Sequence, residues 1–253
     1  MRMQAKQVKM IKNETKTDCL ISTLVLCWLH EALTHWRLAG TLPYVIPFLP
    51  KLFIMQEMND DQDLQVMATR VLNLIAQTSY PPSMLPTLID QFLTILTTST
   101  SWHIRIRVLP VLQVFFFKHL FAMSSEQLLR IMQIISRMLL DSQIEVRQLA
   151  SVTLGGLVRC SQRDAIQTLR QQFEAKIQVK IPRRKRDPVT GKNVEPAGFA
   201  EAVLQKHAGV LGLSCLINAF PYEVPEWMPS VLIELADCIS DPAAEIQVKT
   251  RIV

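Results

Sequence analysis

The stretch DSQIEVRQLASVTLGGLV, Asp141 to Val158, reads as one amphipathic helix. Ser142 is in position to cap its N-terminus, and Glu145 three residues on completes a Ser-x-x-Glu box that would satisfy two unpaired backbone donors. Val146, Leu149, Ala150, Thr153 and Leu157 recur at helical spacing and form one apolar face. Gly155 and Gly156 would each weaken an isolated helix by about 1 kcal/mol, so their presence here predicts a close approach by another backbone.

The segment has copies upstream. A shift of about 40 positions aligns Leu64, Ile104 and Ile144, then Val66, Ile106 and Val146, then Leu72, Leu112 and Val152, then Leu74, Val114 and Leu154. The segments preceding each copy align at the same shift: Phe48, Leu88 and Leu128; Leu49, Ile89 and Leu129; Leu52, Phe92 and Met132; Met55, Ile95 and Ile135. A period of this length holding two helices is the signature of HEAT or armadillo repeats. One such unit cannot bury its own apolar face, so neighbours must cover it. The predicted fold is all-α, a HEAT/armadillo-like α-solenoid of stacked antiparallel helix pairs.

Composition agrees. The chain has 253 residues, 49% of them hydrophobic, and only 7 glycines, which disfavours a loop-rich or β-rich fold. A net charge of +5 is too weak alone to imply nucleic acid. Five scattered cysteines (Cys19, Cys27, Cys160, Cys215 and Cys238) read as reduced thiols of an intracellular protein.

Residues 1–17 form a polar, basic N-terminal segment with Lys6, Lys9, Lys12 and Lys16, and lack the ordered apolar core and cleavage site of a signal peptide. Cys19 to Leu29 is apolar but only about half a membrane span, and is expected to be a buried helix, half of a repeat. The other apolar run, Val108 to Met123, is interrupted by Pro110, Gln113, Lys118 and His119, so no membrane is expected as a partner. Pro81-Pro82 and Ser124-Ser125 mark starts of first helices; Asp61 and Asp141 mark starts of second ones. Pro110 should kink or shorten the second helix of the middle unit. HEAT-like repeats thus occupy 18–179, where Ile166, Leu169, Phe173 and Ile177 mark the face of a further helix. A basic, proline-rich inserted loop follows at 180–198, and further HEAT-like repeats at 199–253, truncated at the end, where Asp241, Ile246 and Val248 open one more second helix.

No residues read as a reaction centre. There is neither a Gly-x-Ser-x-Gly elbow nor a phosphate-cradling glycine loop. Cys27, His30 and His35 lack the paired spacing and fourth ligand of a zinc site. His207 has no identifiable nucleophile and reads as a packing or hydrogen-bonding histidine. At least two of Phe115, Phe116 and Phe117 should be core. The segment that stands apart is basic: Lys180, Arg183, Arg184, Lys185 and Arg186 gather five cations in a loop. These are the candidate site residues, either for nuclear import or for an anion, the alternative being a solvated insertion. No aromatic residue interleaves with them, so no direct nucleic-acid partner is expected.

The stretch SWHIRIRVLPVLQVFFFKHLF (Ser101 to Phe121), the helix IEVRQLASVTLGGL, KIPRRKRDP (Lys180 to Pro188), KHAGVLGLSCLINAFPYEVPEWMP (Lys206 to Pro229) and Asp241-Pro242 together resemble the C-terminal region of the large single-chain HEAT-repeat proteasome activators. The resemblance runs in order from about residue 40 to 250. It implies an ATP- and ubiquitin-independent activator, with no catalytic site of its own, that binds the proteasome core particle and promotes degradation of peptides and acetylated histones. It further implies a place in DNA repair, residence in nucleus and cytoplasm, and no cofactor beyond an inositol polyphosphate. The family ends in a Tyr-containing docking tail, whereas this sequence has no Tyr after Tyr222, so that tail is not assigned. The family's acetyl-lysine region carries an Asn-Phe pair where this sequence has Ser161-Gln162, and no acetyl-lysine residue is carried over. Read without the resemblance, the repeats fit a generic HEAT scaffold or transport adaptor.

Overall fold

A computed structural model describes residues 2–35, 42–58, 61–182, 185–186, 193–241, 243 and 246. The chain divides into two compact units, 1–123 and 124–253. In the first, α1 (Arg2–Thr34), α2 (Leu42–Glu57), α3 (Gln62–Gln77), α4 (Leu85–Thr98) and α5 (Trp102–His119) are joined by short connections, with a 3-10 turn at Pro82–Met84. Helices α2 and α3 pair, as do α4 and α5; α3 packs on α5 and α2 on α4, and α1 lies against α3. The Cys19–Leu29 run, expected to be a buried helix, is buried along one edge only: Leu26 and Leu29 are core, whereas Leu20, Ile21, Leu24 and Trp28 are exposed. The second unit holds α6 (Ser125–Met138), α7 (Ile144–Val158), α8 (Arg163–Ile177), α9 (Phe199–Asn218) and α10 (Met228–Asp237). There α6 pairs with α7 and α8 with α9, while α9 also packs on α7 and α10. The fold is all-α, built of the layered helix pairs that the repeat predicts.

Sequence explains the boundaries. Asp61 caps α3, its Oδ1 accepting from the Leu64 N–H at 3.0 Å. Ser124 caps α6 in a full capping box with Gln127. At α7 the expectation fails: Ser142 and Glu145 form no box, and the helix begins at Ile144 with Gln143 as its cap residue. Asp141 Oδ1 instead accepts from the Gln143 N–H at 2.9 Å, so an Asx turn takes the role. Pro110 does not shorten α5, which at 18 residues is longer than α3 or α7. Buried Val108, Leu109, Val111 and Leu112 hold the helix on both sides of the proline.

Burial also corrects the repeat register. Leu64, Ala68, Leu72, Ile75 and Ala76 of α3 match Ile104, Val108, Leu112, Phe115 and Phe116 of α5, as the period predicts. In α7 the equivalent buried set is Val146, Ala150, Leu154, Leu157 and Val158, two residues later than the period places it. Val152, aligned from sequence with buried Leu72 and Leu112, is 67% exposed. Phe115 and Phe116 are core and Phe117 is exposed.

Candidate functional site

The basic loop is the site that the sequence singles out. Helix α8 stops at Ile177, its Ile166, Leu169, Phe173 and Ile177 face buried, and Lys180 beyond it is exposed. Arg183 and Arg184 lie outside the described residues. The Lys185-Arg186 backbone forms a two-residue antiparallel ladder with Asn193-Val194, Lys185 opposite Val194 and Arg186 opposite Asn193. Within the inserted segment the described residues thus include this short ladder, while 187–192 lie outside the described residues.

Helix α9 follows this segment in the chain, and its environment is set by small residues. Gly155 of α7 faces Cys215 of α9, with room for a Cβ only 3.2 Å from the Cys215 carbonyl oxygen. This is the close backbone approach that Gly155-Gly156 predicts. On the α8 side, a Cβ on Gly209 would lie 2.9 Å from the Ile177 side chain and backbone, and one on Gly212 would stand 2.4 Å from atoms of the Phe173 ring. Ser151 Oγ donates to the Leu211 carbonyl at 3.0 Å, tying α7 to α9 through a buried polar bond. His207 is 1% exposed, with its Nδ1 3.0 Å from Arg147 Nη1. A guanidinium can only donate, so Nδ1 is the acceptor and the ring proton sits on Nε2. His207 is therefore a hydrogen-bonding core histidine. Lys206 reaches buried Asp241 at 2.6 Å, and the same carboxylate accepts from the Ala243 N–H at 2.9 Å. Burial pushes the Cys215 thiol pKa far up, which makes that cysteine a packing group and not a nucleophile.

In the first unit, Cys27 is exposed, while His30 and His35 both lie near Glu31. Among the described residues no three His, Cys, Asp or Glu side chains converge as metal ligands, and no helix is long and apolar enough to cross a membrane. A second polar histidine is buried here. His119 Nε2 accepts from the Tyr80 N–H at 3.2 Å, and Nδ1 donates to the Phe115 carbonyl at 3.0 Å.

One concave feature went unread in the sequence. In the second unit a groove of about 720 Å³ opens where α7 ends and α8 begins. Val158, Ser161 and Arg163 line one wall; Phe220, Glu223 and Trp227 line the other. The second wall is the Pro-Tyr-x-Val-Pro-x-Trp-Met-Pro segment, in which Pro221 and Pro225 keep the chain out of helix until α10 starts at Met228, with Pro229 in its first turn. That proline spacing was the available signal. It marks an irregular segment long enough to form a wall, although spacing alone does not say which helix it faces.

Comparison with known proteins places the chain. Residues 203–253 match the family described as proteasome activator complex subunit 4-like, C-terminal. Proteasome activator complex subunit 4A of Danio rerio is 32% identical over 222 residues, covering 86% of this chain and 12% of that protein. Subunit 4B of the same fish is 35% identical over 223 residues, with 86% and 12% covered. Proteasome activator complex subunit 4 of Homo sapiens is 35% identical over 201 residues, 78% of this chain and 11% of that one. The chain thus spans about an eighth of the length of the curated relatives it matches.

Proposed function

We propose, from the similarity of this chain to the C-terminal region of proteasome activator complex subunit 4, that it serves as part of a proteasome activator. In this reading the helical pairs bind the proteasome core particle and promote degradation of peptides and acetylated histones, without ATP or ubiquitin. The chain acts through surfaces and has no catalytic site of its own. The observation that carries the reading is sequence identity of 32–35% extending over 78–86% of the chain, far beyond the residues that match the family description. An all-helical architecture of packed pairs supports it, since such repeats present extended binding faces.

Residence in nucleus and cytoplasm belongs to the same proposal, as does a role in DNA repair. Lys180, Arg183, Arg184, Lys185 and Arg186 are the residues proposed to engage an import receptor or an anion such as an inositol polyphosphate. The decisive experiment mixes the purified chain with purified core particle and resolves them by native electrophoresis. Co-migration is expected. If the chain remains separate at high micromolar concentration, the generic HEAT scaffold becomes the better account.

A further inference from the structure

The chain has three tyrosines, each in a different setting. Tyr80 is 5% exposed, its hydroxyl donating to the Ile75 carbonyl at 3.0 Å. Tyr44 is exposed but belongs to α2, so its backbone is committed to a helix. Tyr222 is 97% exposed and lies in neither helix nor strand. Pro221, Glu223 and Val224 beside it are exposed as well. Among the described residues, the backbone N–H groups of Tyr222, Glu223 and Val224 donate no hydrogen bond within the protein.

Both ends of this short run are anchored. The Phe220 N–H donates to the Ile217 carbonyl of α9 at 3.0 Å, and the Met228 N–H at the start of α10 donates to the Pro225 carbonyl at 2.9 Å. Phe220 and Trp227 close the base of the run edge to face, with ring centroids 5.9 Å apart. Pro225 holds Val224 away from helical angles. An enzyme cleft can therefore take up Tyr222 and the residues after it without unravelling any regular structure. The charges of the run are Glu223 and Glu226, both exposed, and a cleft lined by basic residues is attracted to such a flank. An anion placed on Tyr222 would meet no cation within the run, so it would stay available to the arginines of a partner.

We infer that Tyr222 is a phosphorylation site, and that the modified run from Tyr222 to Pro225 docks a phosphotyrosine-binding domain of the SH2 type. In the transfer step the Tyr222 hydroxyl oxygen attacks the γ-phosphorus of ATP held by a tyrosine kinase. The new O–P bond forms as the bond to the departing ADP breaks, and the phenolic proton passes to the carboxylate base of the kinase. The product carries three acceptor oxygens and a charge of about −1.5 to −2, which an arginine cluster recognises. Anchoring decides the direction of reading. Ala219 and Phe220 are tied to α9, whereas Glu223 and Val224 are free, so the partner reads the residues that follow the phosphotyrosine.

The test incubates the full 253-residue chain with Mg-ATP and a purified tyrosine-kinase domain that prefers acidic flanks, and maps phosphate by peptide mass spectrometry. Phosphate is expected on Tyr222 and not on Tyr80, with Tyr44 slower by about tenfold or more because it must first leave α2. No phosphate on Tyr222, or Tyr44 modified as fast, would overturn the site. Docking is then read by titrating a labelled SH2 domain selective for proline three residues after the phosphotyrosine. The phosphorylated chain is expected to bind about tenfold or more tightly than the unmodified one. Pro225→Ala, phosphorylated to the same extent, should bind several-fold more weakly, and Tyr222→Phe should lose both phosphate and binding. Thermal melts show whether each variant is folded; Tyr222→Phe removes one exposed oxygen and should melt as the parent does. Equal affinity of the phosphorylated and unmodified chains, or undiminished binding by Tyr222→Phe, would overturn the docking. A failed native-gel association with core particle leaves both measurements unaffected, so the two readings stand or fall separately.

Discussion

His119 shows how one buried side chain couples stability to pH. Its two nitrogens are fully used, one accepting from the Tyr80 N–H and the other donating to Phe115, and the ring packs against Phe115 and Tyr80. Burial pushes its pKa below the ordinary histidine value; neighbouring Lys118 pushes the same way, while the carbonyls of Phe115 and Thr78 push back. A base whose folded pKa is depressed binds its proton more readily when unfolded. Its contribution is therefore complete above the unfolded value of about 6.5 and is lost as pH falls towards the folded value. Urea melts at pH 7.5 and 5.5 should show a drop in stability that is smaller in His119→Leu than in the parent; an equal drop would mean that other groups carry it. None of this was legible in the sequence, where His119 stood only as a polar interruption of an apolar run. A histidine gains its role from a partner 39 positions away, and periodicity has no access to such a partner.

At the level of the helix, the period near 40 was the readable signal, and its one slip has a physical origin. The repeat gave α3 and α5 their correct faces because their first residues, Gln62 and Trp102, are themselves one period of 40 apart. In the second unit Asp141 holds a turn through the Gln143 N–H, so α7 starts later and its whole buried set moves along by two residues. A paired substitution checks the corrected register. Val146→Asp places a charge at a position with no solvent contact and should destabilise by about 3–5 kcal/mol. Val152→Asp, at a position the simple period would bury, should stay within about 0.5 kcal/mol of the parent. Chemical denaturation separates the two, and similar losses at both positions would restore the uncorrected alignment. The groove was illegible for a related reason: its walls come from segments some sixty positions apart, Arg159 bonding Asn218 across it, and neither segment has a motif that names the other.

For the molecule as a whole, the proposed function gives the basic segment and the helical units separate tasks. Pro182 and Pro188 flank the cations in the sequence, and the import reading expects the charges on extended backbone, with Arg183 and Arg184 outside the described residues. Fused to a reporter too large to diffuse through the nuclear pore, residues 178–190 should drive nuclear accumulation, and alanine at Arg183, Arg184, Lys185 and Arg186 should abolish it. A reporter that stays cytoplasmic in both forms would favour the anion-binding role of the same residues. The bed in which α9 lies against α8 has a further consequence, for the way this protein can drift. Glycine is the smallest residue, so every replacement at position 212 adds at least one carbon, and that carbon would stand 2.4 Å from atoms of the Phe173 ring. No first step at that position is small. A lineage could leave glycine there only after Phe173 had already shrunk, and the hole left by that change would itself cost several kcal/mol, about 3–5 for a phenylalanine cut to alanine. The two positions are therefore energetically coupled, and a change at one sets the cost of a change at the other.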